Sequence, residues 1–288
     1  MADIPLVMGI THHPFYYQKT SGPRSEWSDD AVRMAELAKM MEDKLSSAQP
    51  DALVVVASDH FHQFFMNNMP AFLIAKMEEY DGIFYNETRE FDLQPCTVPG
   101  AAELSGQIAT GLVDRGVDLS FSNDLKLDHS VIIPLMMIRP RMDLPVVPLL
   151  TNCGAQPMPT PRRFFELGRI LREAITEVSP GKRVAVVLSG NLSLEVGGPR
   201  QFAPEPPHQA FDDRVTDLLE RGDHEALIAE SQFDRLVETG NTTGQFLNFL
   251  TALGLTDKIM TCTYAEAMKR KGSSQPYFVW EKAGVAGG

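Results

Sequence analysis

The sequence predicts an α/β protein, a single domain over residues 1–288 with a mixed central β-sheet flanked by helices. Three observations lead to this prediction. Short apolar segments rich in Val, Ile and Leu alternate with longer segments of helical spacing, no change of composition marks a linker, and no repeat interrupts the chain. A chain of 288 residues is also long enough to bury a substantial core.

Five segments have the composition of buried strands. Near-continuous runs of aliphatic and β-branched residues are typical of central strands that helices cover on both faces. The predicted strands are 5–10, 52–58, 117–121, 144–150 and 183–189.

Five further segments have the apolar spacing of amphipathic helices. The first, 28–47, opens with Ser-Asp, which is a helix N-cap signal, and the last ends in Gly, which is common just past a helix. The predicted helices are 28–47, 98–116, 160–178, 208–223 and 242–254. Long loops remain at 11–27, 78–95 and 189–208, and long loops on a compact core are often functional.

Composition excludes several classes of function. A formal net charge of −12 disfavours binding to nucleic acid, and the longest apolar run, 130–138, is too short to span a membrane. The N-terminus has no basic, apolar signal pattern, so we expect a cytoplasmic protein. The three cysteines are far apart and form no CxxC motif, so a metal here would be held by nitrogen and oxygen atoms.

Three histidine-bearing motifs follow predicted strands: "GITHHP", "SDHFH" and "KLDHS". Ligands of open α/β sheets bind beyond the carboxyl ends of strands, so these motifs are expected at one rim. Imidazole with carboxylate suits non-heme Fe(II), although single histidines after strands are also often structural. Spacing alone does not choose between His12 and His13, or between His60 and His62.

Several longer motifs resemble one known family. "GITHHP", "SDHFHQFFMNNMPAFLIA", "LKLDHSVIIPLMMI", "SGNLSLEVGGPR" and "ETGNTTGQFLNFLTALG" occur in the order found in class III extradiol ring-cleavage dioxygenases. The resemblance covers roughly 7–280 and is greatest to the catalytic (beta) subunits of protocatechuate 4,5-dioxygenases.

The resemblance implies a fold, a cofactor and a substrate class. Such enzymes hold Fe(II) with two His and one Glu, bind a catecholic compound and insert dioxygen beside its hydroxyls. By motif position, His12 and His60 are the implied metal ligands, for Fe(II) or another divalent metal, and His13 is a substitute for His12. His129 is implied near substrate and oxygen, and Asp59 is a candidate to orient His60.

Two positions depart from the family pattern. Leu194 stands where the family has its acid–base His, so the proton-transfer role is empty unless His129, His62 or Glu195 takes it over. Gln245 stands at the position of the metal-binding Glu. Gln245 can coordinate through its carbonyl oxygen, and Glu238 is a carboxylate that can move in.

A small aromatic substrate is expected near His13 and Phe15, with Arg200 available to pair with a substrate carboxylate. Three hypotheses follow for the activity. The first is an Fe(II)-dependent extradiol dioxygenase, the second is a metal-dependent lyase or hydrolase that uses the same scaffold without oxygen, and the third is a non-catalytic dioxygenase subunit. We also expect a homo-oligomer.

Overall fold

An eight-stranded mixed β-sheet forms the centre of the protein in the computed structural model, which describes residues 1–178 and 180–282. The order across the sheet is β6-β3-β7-β2-β8-β1-β10-β9. Its strands are β1 (Leu6–Thr11), β2 (Ala52–Ala57), β3 (Phe72–Ala75), β6 (Ser120–Ser122), β7 (Val146–Thr151), β8 (Val184–Gly190), β9 (Met260–Arg270) and β10 (Ser273–Lys282). A separate hairpin pairs β4 (Glu79–Gly82) with β5 (Cys96–Pro99).

The four inner strands β7, β2, β8 and β1 run parallel, and every residue in them is buried. On one side β3 joins antiparallel to β7, and on the other β10 joins antiparallel to β1 and continues the hairpin with β9. The predicted mixed α/β fold is therefore confirmed.

Helices cover both faces of the sheet and create two apolar layers. The helices are α1 (Tyr16–Thr20), α2 (Asp29–Ala48), α3 (Tyr85–Phe91), α4 (Ala102–Asp114), α5 (His129–Ile138), α6 (Pro161–Glu177), α7 (Gln209–Arg221), α8 (His224–Glu230), α9 (Phe233–Thr239) and α10 (Asn248–Thr256). One layer includes residues of α4, α6, α7 and α10, and the other includes residues of α2 and α5. Among the described residues, no helix is both long and apolar enough to cross a membrane.

Two predicted elements differ from the structure. The segment 117–121 overlaps the short strand β6 only at its last two residues, because most of that segment leads out of α4. The segment 242–254 begins as a 3₁₀ turn, Thr243–Leu247, before α10 starts at Asn248. That 3₁₀ turn carries Gln245.

The parallel arrangement positions the candidate site. Strands β2, β8 and β1 are neighbours that point the same way, so their carboxyl ends meet at one edge. His12 follows β1, His60 follows β2 and Asn191 follows β8. Residues far apart in sequence are brought together there, as expected for an open α/β sheet.

Candidate metal centre

Three histidines converge at this edge. His12, His60 and His129 each present one ring nitrogen, and these atoms all lie within 4.8 Å of one another. The rings of His60 and His129 stack at 4.2 Å, and the ring of His12 meets both edge-on at 5.1 Å and 5.6 Å. The cluster lies over the carboxyl ends of the inner strands.

The outer nitrogen of His12 is fixed by a serine. Nδ1 of His12 lies 2.8 Å from Oγ of Ser189, and that hydroxyl donates its own hydrogen to the carbonyl of Ser130 at 2.6 Å. Oγ can therefore only accept from His12, so Nδ1 carries the proton. The lone pair of the neutral ring lies on Nε2, which faces the cluster.

Asp128 orients His60. Nδ1 of His60 donates to Oδ2 of Asp128 at 2.8 Å, and the backbone N–H of His60 donates to the same oxygen at 3.0 Å. The other oxygen of Asp128 caps α5 by accepting from Ser130 N–H at 2.8 Å. Asp59 instead accepts backbone N–H groups of the following turn, so the orienting role that its position suggested belongs to Asp128.

Glu87 orients His129. Nδ1 of His129 donates to Oε1 of Glu87 at 2.6 Å, and the backbone N–H of His129 donates to that oxygen at 2.8 Å. Glu87 has no solvent exposure, and its second oxygen accepts from Phe84 N–H at 2.7 Å. All three histidines thus have an external partner on Nδ1 and a lone pair on Nε2 directed inward, which is the arrangement of metal-binding histidines.

Gln245 bridges two of these nitrogens. Its Oε1 lies 2.8 Å from Nε2 of His12, and its Nε2 lies 2.6 Å from Nε2 of His60. Asn191 donates from Nδ2 to Oε1 of Gln245 at 2.7 Å and to Nε2 of His12 at 2.8 Å. Oε1 of Gln245 and Nε2 of His12 are both acceptors, and two lone pairs at this distance favour a cation between or beside them.

Burial keeps two of the rings neutral. Burial, then the fields of His60 and His129, holds the pKa of His12 well below its ordinary value of 6.5. Burial, then the field of His60, lowers the pKa of His129. Burial opposes ionisation of Asp128, but the charge and hydrogen bond of His60 hold the pKa of Asp128 well below 3.8. Neutral imidazoles beside an ionised carboxylate suit a cation.

His62 lies at the edge of the cluster. Its Nδ1 approaches Oδ2 of Asp128 at 3.3 Å, and its ring stacks on Phe84 at 4.6 Å. Burial opposes protonation of His62, but the hydrogen bond and charge of Asp128 raise the pKa of His62 above 6.5. His62 therefore shares with His60 the carboxylate that orients His60.

Two other candidates are already paired with each other. Glu195 accepts Nε of Arg200 at 2.6 Å and Nη2 of Arg200 at 2.5 Å, and the backbone N–H of Arg200 adds a third contact at 3.0 Å. That backbone hydrogen bond, with the guanidinium, lowers the pKa of Glu195. The structure does not bring either residue to the histidines.

The structure also keeps Glu238 away from the cluster. Its side chain is exposed on α9, and its carbonyl accepts from Nη1 of Arg200 at 3.4 Å. Leu194, between Asn191 and Glu195, is held through its backbone: its carbonyl accepts N–H of Thr242 at 3.1 Å. Neither Glu195 nor Glu238 therefore lies with the three histidines.

A cavity of about 230 Å³ opens onto His60 and Gln245. Its apolar lining includes Phe61, Met158 and Leu236, and it gives small molecules access to the cluster. Phe61 has φ of 56°, the left-handed region, which turns the chain just after His60.

His13 and Phe15 lie beside the cluster on another side. Their rings are 5.6 Å apart, and Phe15 contacts Phe91 at 5.1 Å, which in turn contacts His129 at 5.6 Å. Burial, then the fields of Arg270 and Lys19, holds the pKa of His13 well below 6.5.

The sequence analysis did not predict four residues that position the cluster: Asp128, Ser189, Glu87 and Asn191. Glu87 and Asn191 fall in the long segments 78–95 and 189–208, whose length was the one signal available. No motif distinguishes Glu87 from the other acidic residues of its segment.

Comparisons with known proteins identify a family that the chain resembles along most of its length. The family model described as "Catalytic LigB subunit of aromatic ring-opening dioxygenase" matches residues 6–285. A protein of Photorhabdus laumondii subsp. laumondii named 2,3-dihydroxyphenylpropionate/2,3-dihydroxicinnamic acid 1,2-dioxygenase is 30% identical over 189 residues, which are 65% of this chain and 55% of that protein. A protein of the same name from Mycobacterium sp. (strain MCS) is 29% identical over 208 residues, 72% of this chain and 61% of that protein. The chain thus spans little more than half the length of these relatives.

A solved structure also has a similar fold. An uncharacterized protein of Escherichia coli K12 superposes with a TM-score of 0.64 at 18% identity, covering 96% of this chain and 99% of that chain. At this identity the likeness concerns the fold alone.

Proposed function

The chain belongs to the family of catalytic LigB subunits of aromatic ring-opening dioxygenases, and from that premise we propose that it is a metal-dependent enzyme that opens the ring of a small catecholic compound. The observation that carries the proposal is the set of three inward lone pairs on His12, His60 and His129. The named relatives act on catechols with a carboxylate side chain, and we propose the same substrate class here.

The donor set fits Fe(II). Imidazole nitrogens and an amide oxygen are ligands that this ion accepts, and the contact of Gln245 Oε1 with Nε2 of His12 is relieved by a cation. We propose that His12 and His60 hold the metal and that Oε1 of Gln245 completes the set. A bound Fe(II) would supply the positive charge that favours an ionised catechol and the redox chemistry that dioxygen requires.

The chain's own residues handle the proton. Leu194 neither accepts nor donates a proton, and Glu195 is neutralised by Arg200. Nε2 of His129 has a free lone pair directed into the cluster, so it can accept a proton from a catechol hydroxyl. Glu87 holds the proton on Nδ1 of His129 and would stabilise the imidazolium that forms.

His62 and Asp128 have supporting roles in this proposal. Asp128 fixes the ring of His60, and its carboxylate also contacts His62. Asp128 and His62 together would therefore set how strongly the ring nitrogen of His60 binds the metal. The cavity at His60 and Gln245 provides access for dioxygen and substrate. Two observations favour the lyase or hydrolase alternative. The proposed metal ligands carry no charge, and Leu194 stands where the family has its acid–base His.

The test is turnover with and without oxygen. The purified chain is loaded anaerobically with Fe(II), mixed with catechols and then exposed to a known amount of dioxygen. Oxygen uptake that matches the yellow ring-fission product in a one-to-one ratio supports the proposal. Metal-dependent turnover without oxygen uptake supports the lyase or hydrolase instead, and a chain that binds no metal above background supports the non-catalytic subunit.

A further inference from the structure

Beside the cluster, on the side of His13, lies a group of buried donors that lack acceptors. His13 is 9% exposed, and its Nδ1 lies 3.4 Å from Nη1 of Arg270. A guanidinium only donates, so Nδ1 accepts and the proton of the neutral ring sits on Nε2. That N–H is buried and has no hydrogen-bond partner among the described residues.

Arg270 has the same deficit. Its Nε is buried without a partner among the described residues, while its Nη1 donates to Oγ of Ser273 at 3.2 Å. A third such donor, Nε2 of Gln275, lies on β10 two residues beyond Ser273 and therefore on the same face of the strand. Buried donors are normally satisfied, so these three donors, which lie on β9, on β10 and just after the adjoining strand β1, indicate a missing acceptor.

The charge at this place is also uncompensated. The cation Lys19 lies near Arg270, and burial, then repulsion from Arg270, lowers the pKa of Lys19. Asp30 attracts both cations at longer range, and among the described residues neither cation belongs to an ion pair within 4.0 Å. Half-buried positive charge beside buried, unpaired donors suits an anion.

We propose that His13, Lys19 and Arg270 bind the carboxylate of an aromatic acid. That this acid is the ring-opening substrate rests on the function proposed above. A carboxylate supplies several acceptor lone pairs and one negative charge, and its planar shape matches a guanidinium. The site takes over the role that the sequence suggested for Arg200, whose guanidinium is already paired with Glu195.

The position of the anion site suits one ligand that also reaches the histidines. Successive ring contacts lead from His13 through Phe15 and Phe91 to His129. The backbone of Leu194 contacts both places, since it forms a bridge with Ser273 and accepts from N–H of Thr242, which lines the cavity. In our proposal a carboxylate held at Arg270 belongs to a molecule whose ring lies at the cluster.

The test compares an acid with its neutral isostere. Binding of 3-phenylpropanoate and 3-phenylpropanamide to the purified full chain is measured by calorimetry; neither probe has the hydroxyls that a metal would bind. The acid is expected to bind about 10-fold or more tightly than the amide, since a hydrogen bond to a charged group is worth at least that factor. Arg270→Gln should remove the preference, Arg270→Lys should keep part of it, and Lys269→Gln, the exposed neighbour, should keep it all.

Equal binding of acid and amide, or an unchanged preference in Arg270→Gln, would overturn the anion site, even in a chain that opens catechols. Thermal unfolding of each variant identifies a folding failure, in which case Lys19→Gln repeats the comparison at a partly exposed residue. Kinetics then test the link to turnover. In Arg270→Gln, KM for 3-(2,3-dihydroxyphenyl)propanoate should rise about 10-fold while KM for catechol stays constant; an equal change in both would overturn the link.

Discussion

Nδ1 of His129 donates a 2.6 Å hydrogen bond to Oε1 of Glu87, a carboxylate with no solvent exposure. The same oxygen also accepts the backbone N–H of His129, so one carboxylate fixes both the position and the tautomer of the ring. The bond leaves the lone pair of Nε2 facing His12 and His60. In the mechanism that we propose, this pairing would compensate for Leu194, because His129 would act as the base.

Replacing Glu87 by Gln should therefore change the tautomer of His129. An amide can donate to Nδ1, which would move the ring proton to Nε2 and remove the inward lone pair. We expect kcat to fall by about 10- to 100-fold with a smaller change in KM, the usual cost of losing such a partner. Nitrogen NMR of the imidazole reports the tautomer directly, independent of turnover.

The control for this change lies on the same helix. Glu90→Gln alters an exposed carboxylate of α3 and should leave both the NMR signals and kcat as in the parent chain. Glu87→Asp, which keeps the charge, should retain the tautomer. An unchanged tautomer and kcat in Glu87→Gln would mean that Glu87 has no role beyond packing.

Removal of His60 tests the metal centre itself. His60→Ala deletes a central nitrogen of the cluster, and we expect bound metal to fall from about one ion per chain to background, because chelation needs converging ligands. Metal content after Fe(II) loading and desalting is the measurement. His224→Ala, a histidine that stacks on Phe165 away from the cluster, should bind metal normally. Full occupancy in His60→Ala would contradict the assigned site.

A buried carboxyl next to the site gives a pH-dependent stability. Asp212 accepts Ser193 N–H and Ser193 Oγ–H, each at 2.8 Å, and so holds the loop that carries Asn191. Burial raises the pKa of Asp212 from 3.8 to about 6. The folded chain therefore binds this proton more tightly than the unfolded chain does. The resulting stabilisation of the folded chain is fully present below pH 3.8.

That contribution is lost as the pH rises through about 6. Between pH 4 and pH 7, the free energy of unfolding of the parent chain should fall by about 1 to 3 kcal/mol relative to that of Asp212→Asn. Urea denaturation at the two pH values measures the difference. Asp213→Asn, the exposed neighbour, should track the parent chain at both, and parallel behaviour of Asp212→Asn would refute the assigned pKa.

The inner sheet could be predicted because its strands are apolar throughout and its helices carry caps and helical spacing. β9 and β10 were not predicted. β9 is largely half-buried or exposed, and β10 begins with polar residues followed by Pro276. β4 has alternating burial over only four residues, which is too short a pattern to detect. The run at 130–138 forms α5 despite Pro134, because Asp128 caps the helix and the carbonyl of Ser130, which an N–H at position 134 would bond, accepts from Oγ of Ser189 instead.

The candidate site was also predicted only in part. Motif position was sufficient to identify the histidines that converge, since each follows or adjoins an element of the core. Their partners Glu87 and Asn191 were not identified, because a hydrogen bond between distant loops leaves no local pattern. Arg200 shows a related limit of the sequence, which shows its guanidinium but not the carboxylate of Glu195 that pairs with it.

Replacement of Gln245 tests how the charge of the proposed ligands affects the affinity for the metal. The ligand set that we propose, His12, His60 and Gln245, is neutral, whereas a carboxylate would place a negative charge beside the metal. Gln245→Glu should therefore raise the affinity for Fe(II) by about 10-fold or more, since affinity follows the charge of the ligands. Asn191, which donates to Oε1 at 2.7 Å, can donate equally to a carboxylate. Competition with a chelator measures the affinity without turnover. Gln232→Glu adds the same charge at an exposed position and should leave the affinity unchanged. An equally unchanged affinity in Gln245→Glu would show that residue 245 does not contact the metal.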